Sequence, residues 1–178
     1  MSINFTNVEK AFLEEAKIQN ITTKTPFITV ESFPQLGLLS ALSFIEWIAE
    51  NPNGVVSLPT GKTAQYFINY THFILDNWEN KKGKELLEKY NLQGIKKPSF
   101  SNLQFVQMGA FYPMNSEQHN NLFNFAKVNY IDGFGFNEKN SLVIKTEDII
   151  LAGDRHFLEV FPDYEIDLSL RFREAKTI

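Results

Sequence analysis

The chain has 178 residues, 43% hydrophobic and 21% charged, with a formal net charge of −4 at pH 7. That length and balance fit one soluble globular domain with a substantial core, and the acidic excess gives no footprint for nucleic acid, which needs clustered Lys and Arg. Cysteine is absent, which excludes disulfides, thiolate zinc sites and cysteine nucleophiles.

The three histidines, His72, His119 and His156, show no metal-ligand spacing, so neither a metal nor a cofactor is expected. No run approaches the length of about 18 uncharged apolar residues that a membrane span requires. The N-terminal stretch carries acidic residues where a signal peptide needs a basic start, so a cytoplasmic location without membrane contact is expected. Seventeen phenylalanines exceed what a minimal core requires; packing is their first use, and some are available for a partner surface.

Residues 5–19 predict an amphipathic helix on the outside of the domain, with Val8, Phe12, Leu13 and Ala16 on one stripe. The Thr-rich segment 20–26 breaks the pattern, and residues 27–34 have a short β-like character ending at Pro34. A second helix is predicted over 36–50, with Leu38, Leu42, Ile45 and Ala49 at helical spacing, stopped by Asn51-Pro52-Asn53-Gly54. Residues 55–58 read as a strand buried on both faces, as in a parallel sheet. A helix over 63–78 follows, apolar nearly all round: Ala64, Phe67, Ile68, Leu75 and Trp78 lie on one side, Tyr66, Tyr70 and Phe73 on another.

The charged segment 79–99 reads as a solvated excursion with one or two helical turns around Leu86 and Leu87, its lysines on the surface. Residues 102–108 give a second strand and 109–115 the loop at its carboxyl end. Asn115 and Gln118 resemble an N-cap and its reciprocal partner, predicting a helix over 116–131. Residues 141–146 are a third strand candidate, with a helix start at Thr146-Glu147-Asp148. Strands alternating with helices indicate an α/β domain with a mainly parallel sheet, in which ligands bind beyond the carboxyl ends of the strands. That rule puts Pro59-Thr60-Gly61-Lys62-Thr63 and the 109–115 loop at one rim.

Gly61-Lys62-Thr63 invites comparison with the nucleotide P-loop, but that pattern requires glycine at position 56, where Val56 stands. A lone phosphate needs only close backbone approach, exposed amides at a helix start and a hydroxyl, which Gly61, Lys62 and Thr63 can supply. The same residues also suit a plain strand-to-helix turn with Thr63 as N-cap. Spacing alone leaves both readings open.

Two stretches carry a family resemblance. Residues 57–67, "SLPTGKTAQYF", and 103–136, "LQFVQMGAFYPMNSEQHNNLFNFAKVNYIDGFGF", resemble the sugar-phosphate loop and the active-site strand, loop and helix of the glucosamine-6-phosphate deaminase (isomerase) and 6-phosphogluconolactonase family. The resemblance is confined to that family's N-terminal half, and the flanking residues 33–136 are compatible with it. It implies a Rossmann-like three-layer α/β fold with helices on both faces of a mainly parallel sheet, in an incomplete version. It also implies one sugar-phosphate isomerase-like domain over 1–178, with 1–32 as helix and extended arm and 33–178 as core.

By the same resemblance, Thr60, Gly61, Lys62 and Thr63 hold the phosphate of a hexosamine or hexose phosphate, and His119 lies on the loop over the sugar. The family's catalytic carboxylate pair falls at Gly109 and Ala110, neither of which can accept a proton. Glu117 is the nearest substitute, with Asp132 a further one. The family's Asp-Gly-His-Ile type segment has no counterpart here.

The expected function is therefore that of a deaminase-like protein of amino-sugar phosphate metabolism, catalytically impaired, that binds a hexosamine or hexose phosphate. An active isomerase using a displaced carboxylate, and a non-catalytic interaction module, are the two other readings. Missing strands would leave an exposed sheet edge, to be covered by residues 156–174 or by a homo-oligomer that also uses the surplus aromatics. Arg171, Arg173 and Lys176 then serve either as phosphate ligands across that interface or as a solvated basic tail.

Overall fold

The computed structural model describes residues 4–16, 25, 27–112, 114–145, 148, 150, 151, 155, 156 and 159. The chain is α/β, with a parallel sheet and several helices, as its alternating pattern predicts. It gathers into two compact units, residues 1–54 with 62–100 and residues 55–61 with 101–178.

The first unit is helical among its described residues. Helix α1 (Asn7–Glu15) begins at a capping box in which the Thr6 hydroxyl accepts from the Glu9 amide at 3.2 Å and the Thr6 amide donates to the Glu9 carboxylate at 2.8 Å. Its stripe is core rather than outer cladding, because Val8, Ala11 and Phe12 are buried and the Phe12 ring stacks on Tyr90 at 4.7 Å. Lys89 crosses to Glu15 at 2.9 Å and reaches the Tyr90 hydroxyl at 3.2 Å. Those two hydrogen bonds, Glu15 first, hold its ammonium pKa above the ordinary lysine value.

Helix α2 (Phe33–Glu50) starts three residues earlier than its periodicity suggests. Ser32 accepts from the Gln35 amide at 3.3 Å, and Pro34 sits in the first turn, where a missing N–H costs nothing. The expected β-like stretch is thus an irregular lead-in to this helix at residues 27–30. Glu46 projects from α2 into the unit and is 4% exposed. Its carboxylate accepts from the Asn7 amide at 2.9 Å and the Val8 amide at 3.3 Å, satisfying the first turn of α1.

A single 3₁₀ turn, Lys62–Ala64, leads into helix α3 (Gln65–Asp76). This helix buries Phe67, Ile68, Thr71 and Ile74, leaving Tyr66 and Phe73 exposed. Its apolar circumference is therefore not fully covered. Helices α2 and α3 approach closely at Gly37, whose absent Cβ would overlap the Cβ of Tyr66 and lie 2.8 Å from its carbonyl carbon.

The charged segment carries the helical turns expected around Leu86 and Leu87 and extends them. It holds a full helix, α4 (Lys81–Lys89), capped by Asn80, whose side chain accepts from the Gly83 amide at 3.1 Å. Gly83, a helix breaker by composition, is required because a Cβ there would collide with the Asn77 carbonyl. Leu87, Tyr90 and Leu92 are buried, and the lysines remain outside as expected.

The second unit is built on three short parallel strands in spatial order β1 (Val55–Val56), β2 (Gln104–Val106) and β3 (Ser141–Leu142). Register pairs Val56 with Phe105 and Phe105 with Ser141. Val56 is buried but Val55 is 60% exposed, so β1 is covered on one face and not on both as its β-branched run suggested. Phe105 is the hub of an aromatic core, with Phe136 at 5.4 Å and Tyr130 at 6.0 Å between ring centroids. Burial of each such ring stabilises by about 1.5–3 kcal/mol.

The helix after the β2 loop starts later than predicted. Asn115 accepts from the Glu117 amide at 2.8 Å, which closes only a turn. The helix cap is Asn121, which accepts from the Phe123 amide at 2.7 Å and opens α5 (Leu122–Ala126). A π-helical segment, Lys127–Gly135, continues it. The Asn129 side chain donates to the Phe125 carbonyl at 2.9 Å, the acceptor its own amide would use in an α-helix, which favours the wider register. Gly135, at φ 82°, ends the segment and turns Phe136 into the core.

An antiparallel pair, β4 (Ile150–Leu151) with β5 (Arg155–His156), follows a 3₁₀ turn and strand β3; the sequence pattern had not indicated it. The expected helix start at Thr146-Glu147, nearly all of segment 156–174, and Arg171, Arg173 and Lys176 lie outside the described residues. Among the described residues no helix is long and apolar enough to cross a membrane.

Candidate functional site

The turn after β1 opens on a left-handed glycine. Gly61 adopts φ 97°, a left-handed conformation that a β-carbon strains, and a Cβ built there meets nothing within 4 Å. Lys62 and Thr63 are exposed, while Thr60 and Gly61 are half-buried. Helix α3 has Ala64 at its N-cap with no side-chain hydrogen bond, so Thr63 is not the cap that the plain-turn reading assigned. Among the described residues the Thr63 hydroxyl has no partner, and the amides of Gly61, Lys62 and Thr63 donate to no backbone carbonyl outside the helical turn.

Two buried side chains shape the carboxyl-end edge of the sheet in the second unit. The Tyr130 hydroxyl, on the π-helical segment, donates to the Pro59 carbonyl immediately before Thr60 and Gly61. Gln107, 4% exposed, donates from Nε2 to the Gly109 carbonyl at 2.8 Å and accepts from the Ile144 amide at 2.9 Å. It thereby ties the loop after β2 to the exit of β3. Parallel pairing brings Pro59-Thr60-Gly61 and the Gly109-Ala110 loop to the same edge, as the α/β rule requires.

Burial pushes the Tyr130 hydroxyl pKa well above the ordinary tyrosine value of 10.0. A raised folded-state value means that this contribution to stability is intact below pH ~10 and drains as the pH climbs from there toward the folded value. Tyr130→Phe is expected to cost about 1 kcal/mol at neutral pH, the net worth of one hydrogen bond. It should also flatten the alkaline limb of a stability-versus-pH curve, and unchanged alkaline unfolding would remove the hydroxyl from this role.

The remaining candidates are dispersed. Gly109 and Ala110 stand half-buried, and a Cβ at Gly109 would meet nothing within 4 Å, so no steric demand keeps a side chain out. Glu117 and His119 are exposed on the turn spanning 116–120. Asp132 is engaged by Lys127 at 3.4 Å, and Lys127 also binds Glu138 at 2.7 Å. Hydrogen bonds donated to Glu138 and then to Asp132 raise the Lys127 pKa, and Lys127 in turn lowers that of Glu138. Among the described residues no cluster of three or more His, Asp or Glu side chains is placed to hold a metal ion.

No protein-family model matches the sequence, and no curated protein matches it significantly. Among solved structures the chain is similar to a monomeric glucosamine-6-phosphate deaminase described as a missing link of the NagB superfamily. The identity is 16% and the TM-score 0.48, over 65% of this chain and 41% of the other. The chain thus spans less than half the length of that structural neighbour. At this identity and score the likeness assigns neither family nor activity, and the functional reading stands on the chain's own residues.

Sequence reasoning missed Gln107 and Tyr130. A signal existed for Gln107, a polar residue shortly after buried Phe105 and half-buried Val106, where the ladder ends. Tyr130 looked like one more core aromatic, and only its distance from Pro59 in the fold separates it from the others.

Proposed function

We propose that the chain is a phosphosugar-binding protein that takes a hexosamine or hexose phosphate on the Thr60–Thr63 turn and does not carry out deamination or isomerisation. The observation that carries this reading is the turn itself: a left-handed Gly61 with open space above it, followed by an exposed Lys62 and a Thr63 hydroxyl without a partner among the described residues. Exposed amides at a helix start with a hydroxyl and an ammonium group suit a phosphate monoester. The sequence likeness of residues 57–67 and 103–136 to the deaminase and lactonase family favours a phosphosugar over free phosphate.

Loss of chemistry follows from Gly109 and Ala110, since moving a proton between adjacent carbons needs a positioned base worth on the order of 100- to 10,000-fold. Thermal denaturation with glucosamine-6-phosphate tests the binding step. The melting temperature should rise with ligand, by the equivalent of about 2.7 kcal/mol at one hundred times Kd, and Gly61→Val should abolish the rise. No rise at millimolar ligand would defeat the proposal and leave the interaction-module reading, for which exposed Phe33 and Leu36 on α2 are the available surface. Ammonia release that disappears in Glu117→Gln would instead support the displaced-carboxylate enzyme; release is expected to be absent.

A further inference from the structure

A cavity beside edge strand β3 lies wholly in the second unit and uses none of the phosphosugar-turn residues. It encloses about 250 Å³, and its described lining is Phe123, Lys127, Ile131, Glu138, Ser141, Val143 and Lys145. The lining divides by chemistry. Ile131 is buried and Phe123 and Val143 are half-buried, giving an apolar floor, while the charged groups stand at the solvent side.

The two ammonium groups are not equivalent. Lys127 is committed to Glu138 at 2.7 Å and Asp132 at 3.4 Å. Lys145 sits 5.1 Å from the centroid of the Phe123 ring and forms no salt bridge among the described residues, although its charge contributes to lowering the Glu138 pKa from a distance. Ser141 already donates its hydroxyl proton to the Asn137 carbonyl at 2.9 Å and is left as an acceptor. Among the described lining residues two ammonium groups face one carboxylate, and Asp132 beside the lining also engages Lys127.

We propose that this cavity binds a small monocarboxylic acid with an aryl or branched aliphatic body. The carboxylate pairs with Lys145, and the body covers Phe123, Ile131 and Val143. One ammonium group without a salt bridge matches one negative charge, and the Phe123 ring beside it offers apolar surface to the body of the same ligand. A phosphate dianion would leave one charge uncompensated and the apolar floor uncovered. A cationic ligand would face Lys145 directly.

Phenylacetate is the probe, titrated into the full chain while methyl signals of Ile131 and Val143 are followed by NMR. Saturable shifts at those methyls are expected. The neutral isostere phenylacetamide and the Lys145→Gln variant should each weaken binding about tenfold or more, the scale of one charge-assisted hydrogen bond. Lys145 is exposed, so this change should leave the melting temperature unaltered. Lys145→Glu should reject phenylacetate and accept phenethylammonium. The proposal is overturned if phenylacetate produces no saturable shift at millimolar concentration, if phenylacetamide binds equally well, or if Lys145→Gln retains full affinity.

Discussion

Gly37→Ala is expected to destabilise the helical unit by about 2 kcal/mol, despite alanine being the better helix former. In an exposed helix the change would gain roughly 1 kcal/mol. Here the added methyl overlaps the Tyr66 Cβ and comes within 2.8 Å of the Tyr66 carbonyl carbon and 3.0 Å of the Phe67 nitrogen. These are rigid main-chain neighbours of α3, so α2 and α3 must part, and such overpacking costs about 1–3 kcal/mol or more. For a chain of this size the loss corresponds to a fall of roughly 4–8 °C in melting temperature. Gly94→Ala provides the control, because its Cβ would meet nothing within 4 Å and its φ is not left-handed. If both variants melted alike, close helix approach would not be what Gly37 provides.

The contrast between Gly37 and Gly83 on one hand and the predicted helix limits on the other explains what the sequence made legible. Helical spacing located α2 and α3, because amphipathic periodicity reflects burial directly. In segment 79–99 the helical turns around Leu86 and Leu87 were legible but their extent was not, because its apolar residues are few and its glycine reads as a breaker. The Asn77 carbonyl that makes Gly83 necessary belongs to the tight turn joining α3 to α4, a close approach that apolar periodicity does not reveal. The helix start near residue 116 failed for a related reason. Both Asn115 and Asn121 can cap, but Asn121 is 1% exposed and also donates to the carbonyls of Met114 at 3.1 Å and Asn115 at 2.9 Å. Three bonds to one buried side chain outweigh the single bond at Asn115, a competition that spacing cannot settle.

At the candidate site, only part of the conformation was legible in the sequence. Gly61 in the Gly-Lys-Thr triplet takes the left-handed backbone that only glycine adopts readily, as a tight turn at that position requires. The Thr63 N-cap was equally plausible from the residues. It fails because the chain inserts a 3₁₀ turn over Lys62–Ala64 before α3, moving the cap to Ala64. The polar ties that set the loops, Gln107 and Tyr130, join positions 37 and 71 residues apart and leave no periodic trace.

Glu46→Ala is expected to be at least as damaging as Gly37→Ala, at about 2–4 kcal/mol. The carboxylate is 4% exposed and serves as a tertiary cap: α2 lends it to the Asn7 and Val8 amides, which no carbonyl of α1 can reach. Its charge is stabilised by those two N–H groups and by the positive end of the α1 dipole. Removing it strands two amides, one of them buried, and opens a void beside the first turn of α1. Glu46→Gln should fall between wild type and Glu46→Ala, since the amide retains volume and one acceptor but turns an NH₂ group toward an N–H donor. Hydrogen exchange at residues 7–12, read beside chemical denaturation, separates local fraying of α1 from loss of the whole unit. Glu50→Ala, exposed at the end of the same helix, should change stability by no more than about 0.5 kcal/mol. A Glu46→Ala chain as stable as Glu50→Ala would mean that the buried carboxylate is tolerated rather than required. The Thr6–Glu9 box would then hold α1 unaided, and the packing of Phe12 on Tyr90 would be what docks it.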